Sequence, residues 1–187
     1  MREWSPEVVA AAAGVRLAAG PPARERAPAG PLRVTIDSRD VRPGDLFVGL
    51  RGRNVDGGRF APDALAAGAW GVLVAPEHLY DPRLPQAGVL LAADDPLAAL
   101  QALARSWRRA LGAQVVAITG STGKTSTKDL LAAMLAQQRS VAASAQNLNT
   151  EIGLPLSILA APAGTDVLVL EMAMRGAGQI AELAAIA

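Results

Sequence analysis

One stretch of the sequence, AITGSTGKTSTKDLL at residues 117–131, constrains the fold more strongly than any other. It begins within the apolar run AQVVAITG, which is typical of a strand in a sheet covered on both faces. It continues into TSTKDLLAAMLAQQ, which has the pattern of a helix, and a second apolar run, DVLVLEMA, follows. Strand, turn, helix and strand in this order predict a right-handed crossover and a parallel sheet.

The chain before this stretch has a different pattern. Ser5-Pro6-Glu7 predicts the start of a helix that ends near Gly14, and the proline- and glycine-rich residues 18–31 indicate a loop. Three short β-prone runs follow, and apolar residues at helical spacing separate the second from the third. These runs are LRVTIDSR, DLFVGLRG and WGVLVA. Together they predict a small mixed α/β unit.

We predict a boundary between two domains near residue 84, because PEHLYDPRLPQAG has the composition of a linker. Residues 1–84 then form the small mixed α/β domain, and residues 85–187 form the parallel-sheet domain. A helix is expected to precede the first strand of that sheet, from apolar residues at helical spacing: Leu97, Leu100, Leu103, Trp107 and Leu111. The sequence ends while strands and helices still alternate, so we expect this domain to be incomplete at its C-terminus.

The composition narrows the class of binding partner. The formal net charge is +1 and aromatic residues make up 3% of the chain, so neither charge nor base stacking favours a nucleic acid. The absence of cysteine excludes disulfides and suits the cytoplasm. The N-terminal apolar stretch is too short to span a membrane. We therefore expect a cytoplasmic protein that binds small molecules, without membrane insertion.

The glycine turn has the residues required to bind the phosphates of a nucleotide. Two glycines allow backbone N–H groups to converge on an anion at a helix N-terminus. Lys124 can reach the β- and γ-phosphates, and the Thr125 hydroxyl can bind Mg²⁺. The common phosphate-loop pattern needs a glycine where this chain has Ile118, so an ordinary Gly/Ser turn is the alternative. The candidate ATP-phosphate residues are Gly120, Ser121, Thr122, Gly123, Lys124, Thr125 and Ser126.

A magnesium site also needs a second anchor, and Glu171 has a suitable position. Four apolar residues, VLVL, precede it and predict that its carboxylate lies at the carboxyl end of a buried strand. Ligands gather at that edge of open α/β sheets. A surface acid at a strand end is the alternative, although the combination with Lys124 favours the metal site.

Three motifs in order resemble the Mur ligase family. ITGSTGKTSTKDLLAAML, NLNTEIGLPLSIL and VLEMAMRGAGQI are similar to its central ATPase domain. IDSRDVRPGDLFVGLRGRNVDGGRFAPDALAAGAWGVLV is similar to its uridine-nucleotide-binding domain. The matches run from about Thr35 to Ile180. The resemblance therefore implies an α/β protein, with a small mixed α/β uridine-nucleotide-binding domain followed by a truncated parallel-sheet P-loop ATPase domain.

The resemblance implies an ATP-dependent amide ligase of peptidoglycan precursor synthesis. With ATP and Mg²⁺, such an enzyme adds D-Ala-D-Ala to UDP-MurNAc-tripeptide through an acyl-phosphate intermediate, so both substrates are small-molecule partners. It implies that Gly123 and its neighbours hold phosphates, that Lys124 is catalytic in neutralising charge, and that Thr125 and Glu171 bind Mg²⁺. The NLNT segment favours this ligase over the preceding diaminopimelate- or lysine-adding ligase, which stays an alternative.

The resemblance also implies a site for the uridine nucleotide. For the DSR segment the alternative is a turn in which Asp37 caps local amides and Arg39 is solvated. The NLNT segment is expected on the substrate side of the ATP site. The candidate UDP-MurNAc-peptide residues are Ser38, Arg39, Asn54, Asp56, Gly57, Asn147, Asn149 and Thr150.

Two further interpretations stay open. The chain alone can be a truncated, non-catalytic module that binds a UDP-sugar or nucleotide, since the family's adenine- and amine-binding segments lie further along its chains. We accordingly expect these 187 residues to be inactive by themselves. A general P-loop NTPase or kinase explains residues 113–171 but not the motifs of the first domain. The one histidine, His78, is predicted to be a surface residue.

Overall fold

The structure, a computed structural model, describes residues 1–20, 30–85, 87–145, 148–174 and 176–187. These residues form two compact units, Met1–Leu100 and Gln101–Ala187. The mixed α/β fold class predicted from the sequence is confirmed in both units.

The described residues of the first unit form two short helices and five strands: α1 (Pro6–Ala13), β1 (Arg16–Ala19), β2 (Arg33–Thr35), β3 (Asp45–Val48), α2 (Ala61–Ala66), β4 (Gly71–Val74) and β5 (Val89–Ala92). Short 3₁₀ turns lie at Ser38–Asp40, Gly57–Phe60 and Pro76–Tyr80. The strands form one sheet in the order β1-β5-β4-β3-β2. Strands β2 to β5 are parallel, and β1 is antiparallel to β5.

The long helix α3 (Pro96–Leu111) begins in the first unit and ends in the second. The second unit continues with β6 (Gln114–Ile118), α4 (Lys124–Leu135), β7 (Val141–Ala143), α5 (Gly153–Ala160), β8 (Val167–Glu171) and α6 (Gln179–Ile186). Its three strands are parallel, in the order β6-β8-β7. The parallel sheet predicted from the order of strands and helices is therefore confirmed.

Local signals in the sequence define the first helix as predicted. The Ser5 Oγ accepts a hydrogen bond of 3.4 Å from the N–H of Val8, and Pro6 occupies the first helical position. Gly14 ends α1 in the left-handed conformation, with φ of 67°. Capping chemistry that lies within a few residues is thus sufficient to fix both ends of this helix.

Two strands of the first sheet were not predicted, β1 and β5. Strand β1 lies partly in the segment interpreted as a loop, and β5 follows the segment interpreted as a linker. Because β5 pairs with β4, the predicted boundary after residue 84 separates β5 from its own sheet, whereas the first compact unit extends to Leu100. Residues 21–29, which make up most of the predicted loop, lie outside the described residues.

The prediction that β6 is covered on both faces is wrong within the part of the chain that the structure describes. All five residues of β8 are buried, because β8 lies between β6 and β7. Strand β6 is at the edge of the sheet, and Gln114 and Ala117 are exposed. An apolar sequence indicates a strand that can be buried, but the strand order decides which strand has two neighbours.

A partly buried ion pair joins β2 to β3 in the first unit. Arg33 donates to both carboxylate oxygens of Asp45, with the shortest contact, Nη2 to Oδ2, at 2.6 Å. Asp45 is 2% exposed. These hydrogen bonds raise the pKa of the Arg33 guanidinium, although burial acts in the opposite direction. The two parallel strands therefore carry a charged contact in addition to their backbone pairing.

Among the described residues, the structure has no helix with the length and apolar character needed to cross a membrane.

Replacing Leu168 with alanine is expected to destabilise the second unit by about 2–5 kcal/mol, because the substitution leaves a cavity in the core. Leu168 is fully buried in the central strand β8. The matched control is Leu130→Ala, since the Leu130 side chain on α4 is 65% exposed and its truncation should change stability by less than about 0.5 kcal/mol. Urea unfolding followed by circular dichroism measures both variants. Equal losses of unfolding free energy in the Leu168 and Leu130 variants would contradict the burial of β8.

Candidate phosphate and metal site

The glycine turn connects β6 to the first residue of α4. Gly120 and Gly123 have φ angles of 149° and 74°, in the region that side chains disfavour. Gly123 is also the N-cap of α4. The turn therefore needs glycine at both positions to lead the backbone into the helix. The first N–H groups of a helix lack intrahelical acceptors and form a favourable site for an anion.

Lys124 is the first residue of α4, and its side chain folds back against the turn. Its Nζ donates a hydrogen bond of 2.8 Å to the carbonyl oxygen of Gly120. The ammonium group consequently lies within hydrogen-bonding distance of the glycine turn. The remaining polar residues predicted to bind phosphate, Ser121, Thr122, Thr125 and Ser126, are all exposed.

Glu171 is the last residue of β8 and lies opposite Ile118 at the end of β6. It is only 8% exposed, which excludes the alternative of a surface acid. The Thr125 hydroxyl donates to Oε2 of Glu171 at 2.8 Å, and Asn149 Nδ2 donates to Oε1 at 2.9 Å. The parallel register thus brings the end of β8 to the glycine turn and the start of α4.

Thr125 and Glu171 have suitable chemistry for a magnesium ion. Mg²⁺ prefers oxygen ligands at about 2.0–2.1 Å in octahedral geometry, in which adjacent ligand oxygens lie about 2.9 Å apart. The Thr125 Oγ1 and Glu171 Oε2 atoms are 2.8 Å apart. A hydroxyl and a carboxylate at this spacing fit two adjacent positions around Mg²⁺.

The NLNT segment contributes one side chain directly to this cluster. Besides the contact of its side chain with Glu171, Asn149 accepts a hydrogen bond of 2.9 Å from the N–H of Ala173 through its carbonyl oxygen. The Thr150 hydroxyl instead accepts from the N–H of Gly153 at 3.3 Å, at the start of α5. Asn147, the third predicted residue of this segment, lies outside the described residues.

Two buried polar residues beside the cluster were not predicted from the sequence. Lys128 is 4% exposed and Ser144 is 2% exposed. The Lys128 Nζ donates to the Ser144 carbonyl oxygen at 2.7 Å, and the Ser144 Oγ accepts from the Glu171 N–H at 3.0 Å. A signal for Lys128 was available, because it is one of only two lysines and lies one helical turn after Lys124. Ser144 had none.

In the first unit, the DSR segment forms a 3₁₀ turn in which the charges pair with each other. The Asp37 carboxylate accepts hydrogen bonds from the backbone N–H of Arg39 at 3.0 Å and from its guanidinium at 2.7 and 2.9 Å. These side-chain and backbone bonds lower the pKa of Asp37 to about 2. The Arg39 side chain is 88% exposed and Ser38 is half-buried. The local turn given as the alternative for this segment is therefore present.

The RNVDG segment contains residues with local contacts, and its Arg53 and Asn54 are exposed. The Asp56 carboxylate accepts from the N–H of Gly58 at 2.9 Å. A Cβ at Gly57 would lie 2.7 Å from the Leu50 carbonyl oxygen, so the close approach of two backbones requires glycine there. Asn54 is exposed. Asp56 and Gly57 thus shape the loop that presents Asn54.

The prediction that His78 is a surface residue is wrong. Its side chain is 19% exposed, and its Nε2 lies 3.1 Å from Asp56 Oδ2. The ring packs on Gly58, where a Cβ would come within 2.1 Å of it. Asp56, Glu77 and His78 lie close enough to share a metal ion. Arg51 pairs with both carboxylates of this cluster, however, and already neutralises charge there.

The glycine turn, the helix after it and the carboxylate on the adjacent parallel strand define the second unit as a P-loop domain. Two family models match the chain: "Mur ligase family, catalytic domain" over residues 33–108 and "Mur ligase middle domain" over residues 118–187. Together they cover both units in the order that the sequence motifs indicated. The chain belongs to the Mur ligase family.

Two curated relatives are named UDP-N-acetylmuramoyl-tripeptide–D-alanyl-D-alanine ligase. The relative from Synechocystis is 41% identical over 157 residues, and the one from Bacillus subtilis is 40% identical over 157 residues. Each alignment covers 82% of this chain and 33% of the relative. The chain therefore spans about a third of the length of the curated relatives it matches.

Solved structures share the fold of both units. A crystal structure of MurF from Acinetobacter baumannii is similar over 98% of this chain and 38% of its own, with a TM-score of 0.82 and 26% identity. The MurF ligase from Thermotoga maritima, solved in complex with ADP, is similar over 83% of this chain and 35% of its own, with a TM-score of 0.71 and 39% identity.

The Arg39→Ala substitution is expected to raise the pKa of Asp37 from about 2 towards its ordinary value of 3.8, because the guanidinium hydrogen bonds are lost. The hydrogen bonds between Arg39 and Asp37 stabilise the fold at pH values above the ordinary pKa of Asp37. This contribution is lost as the pH falls towards 2 and the carboxylate is protonated. An NMR titration of the carboxylate carbons measures the change. Asp81 is the internal control. Arg83 likewise lowers the pKa of Asp81 to about 2, and the Arg39→Ala substitution leaves Arg83 in place. An unchanged Asp37 titration would contradict the pairing.

Proposed function

We propose that the chain carries the ATP-phosphate site and the UDP-substrate site of an ATP-dependent ligase that adds D-Ala-D-Ala to UDP-N-acetylmuramoyl-tripeptide. The observation that carries the proposal is the 2.8 Å contact between Thr125 and Glu171 beside the glycine turn that precedes Lys124. Two relatives with this name, at 41% and 40% identity, support it. The ADP complex of the Thermotoga maritima ligase supports the nucleotide.

The proposed reaction has two steps, because a carboxylate is a poor electrophile without a leaving group. The terminal carboxylate oxygen of the tripeptide attacks the γ-phosphorus of ATP, and the bond from that phosphorus to the bridging oxygen breaks, which releases ADP. The amine of D-Ala-D-Ala then attacks the carbonyl carbon of the acyl phosphate. The C–O bond to phosphate breaks and the nitrogen loses a proton, so the products are the amide, ADP and phosphate. Positioning and charge neutralisation are the protein's main contributions.

The residues of the second unit have the groups for the first step. Backbone N–H groups of the turn from Gly120 to Gly123 bind the phosphates, and the Lys124 ammonium neutralises negative charge that develops on the γ-phosphoryl group. Thr125 and Glu171 would hold Mg²⁺, which would supply neutralisation of the phosphate charge when bound. Asn149 orients the Glu171 carboxylate through its hydrogen bond to Oε1. The remaining turn residues, Ser121, Thr122 and Ser126, line the phosphate site.

The residues of the first unit are assigned to the UDP-linked substrate. Arg39 offers a cation on an exposed side chain, and Ser38 and Asn54 offer hydrogen-bonding groups. Asp56 and Gly57 support the loop that carries Asn54, which is a less direct role than the sequence suggested. In the second unit, Asn147 and Thr150 remain candidates for the substrate side, and the Thr150 hydroxyl also accepts a hydrogen bond from the N–H of Gly153.

A second candidate is a module that binds nucleotide or UDP-sugar without ligating them. The observations that favour it are the exposed Arg39 and Asn54 side chains of the first unit and the glycine turn of the second, which can bind a ligand without ligating it. Isothermal titration calorimetry of the 187-residue chain with AMP-PNP and Mg²⁺, and separately with UDP-MurNAc-tripeptide, distinguishes binding from ligation when phosphate release is measured in parallel. Failure of both ligands to bind would contradict both candidates.

Lys124→Ala is expected to weaken binding of AMP-PNP with Mg²⁺ by about tenfold or more. A hydrogen bond to a charged group contributes roughly 1.5–3 kcal/mol, and 1.4 kcal/mol corresponds to a factor of about ten in affinity. Calorimetry of the variant and the parent chain measures the loss. The control is Arg139→Ala, which removes one exposed positive charge four residues beyond the end of α4 and should change affinity less than twofold. Equal affinity of the Lys124 variant and the parent would refute the assignment.

A further inference from the structure

Lys128 is a buried cation with no role in the proposed reaction. It is 4% exposed and is the one buried residue of α4. Burial of an ammonium group is costly unless it is paired and hydrogen-bonded. Its Nζ meets this condition with a 2.7 Å hydrogen bond to the Ser144 carbonyl oxygen and a 2.9 Å ion pair with Asp129. The Asp129 side chain is 65% exposed, so the buried bond to Ser144 is the more specific contact.

Ser144 links that lysine to the strand that ends in Glu171. Its N–H donates to the Val169 carbonyl oxygen at 3.0 Å, which extends the pairing of β7 with β8 by one residue. Its hydroxyl oxygen accepts from the Glu171 N–H at 3.0 Å, and its carbonyl oxygen accepts from Lys128. One residue therefore joins the side chain of Lys128 to the backbone of Glu171.

The position of Lys128 on α4 relates this link to the metal site. Residues three and four apart lie on one face of a helix, so Lys128 lies on the same face as Thr125 and Lys124. Thr125 contacts the Glu171 side chain directly, and Lys128 contacts the Glu171 backbone through Ser144. Helix α4 is thus attached to the end of β8 at two points, one helical turn apart.

We propose that Lys128 is a positioning residue that acts through Ser144 to hold Glu171 at the spacing from Thr125 that Mg²⁺ requires. The inference rests on the proposed function of Thr125 and Glu171 as magnesium ligands. Loss of the Lys128 hydrogen bond allows the Ser144 backbone to move. Because Ser144 holds the Glu171 N–H, the Glu171 carboxylate then occupies a wider range of positions, and the metal site loses its preorganised geometry. Lys128 thereby sets the Mg²⁺ concentration at which nucleotide binds.

The first experiment measures the Mg²⁺ dependence of AMP-PNP binding by calorimetry for the 187-residue chain and its Lys128→Met variant. Methionine keeps an unbranched apolar stem and removes the donor and the charge. We expect the Mg²⁺ concentration for half-maximal binding to rise about tenfold, while AMP-PNP binding in EDTA changes less than twofold. Asp129→Asn, which keeps Lys128 and its bond to Ser144, is the control and should match the parent within twofold.

The direction of the change separates positioning from simple electrostatics. Removal of a positive charge near the site favours a divalent cation, so a purely electrostatic role predicts a lower Mg²⁺ requirement in Lys128→Met. A higher requirement supports positioning, and an unchanged or lower requirement overturns it. If the parent chain binds no AMP-PNP with Mg²⁺, the proposed function of the site fails, and the second experiment still decides the coupling of Lys128 to Glu171.

The second experiment needs no nucleotide and measures amide hydrogen exchange by NMR. We expect Lys128→Met to accelerate exchange of the Glu171 amide about tenfold, with the Val169 amide in the middle of β8 unchanged within twofold. Ser144→Ala removes the acceptor of that amide directly and should give the same local effect, and the double variant should exceed neither single variant by more than twofold. Equal acceleration at Val169 and Glu171 indicates general destabilisation and overturns the proposal, as does an unaltered Glu171 amide.

Discussion

The parallel pairing of β6 with β8 is the constraint on which the candidate site depends. Its register sets Ile118, the last residue before the glycine turn, opposite Glu171. Parallel strands end at the same edge of a sheet, so the turn and the carboxylate come together although they are distant in sequence. The same edge receives Asn149 from the loop after β7. A shift of this register by one residue would direct Glu171 to the other face of the sheet and separate it from Thr125.

The charged and polar residues that pair in the two units differ in how deeply they are buried. Lys128, Ser144 and Glu171 form a buried series of hydrogen bonds in the second unit. In the first unit, the pair of Arg33 and Asp45 is partly buried, whereas Asp37 and Arg39 pair at the surface. A buried polar group destabilises the fold unless it forms a hydrogen bond. Ion pairs at the surface contribute little to stability. The residues of the buried series therefore stabilise the fold and also support the proposed metal site.

Sequence reasoning predicted the parts of the structure that depend on local chemistry. The cap of α1 at Ser5, the glycines of the turn and the buried strand before Glu171 each follow from a few adjacent residues. The same reasoning missed β5 because its four residues follow a proline-rich segment that resembles a linker. It placed His78 at the surface because nothing adjacent indicates that Gly58 leaves space for the ring. Both errors concern contacts with residues distant in the chain.

The sequence by itself determined that β6, α4 and β8 follow one another as strand, helix and strand, that residues 120 and 123 need to be glycine, and the family to which the motifs belong. Each of these properties follows from a pattern a few residues long. Backbone sterics and hydrophobic burial determine which structure such a pattern favours. Only the tertiary structure decided that β8 is the central strand, that Asn149 contacts Glu171, and that Lys128 and Ser144 support it. Strand order and long-range hydrogen bonds depend on the packing of whole elements, so no local pattern specifies them.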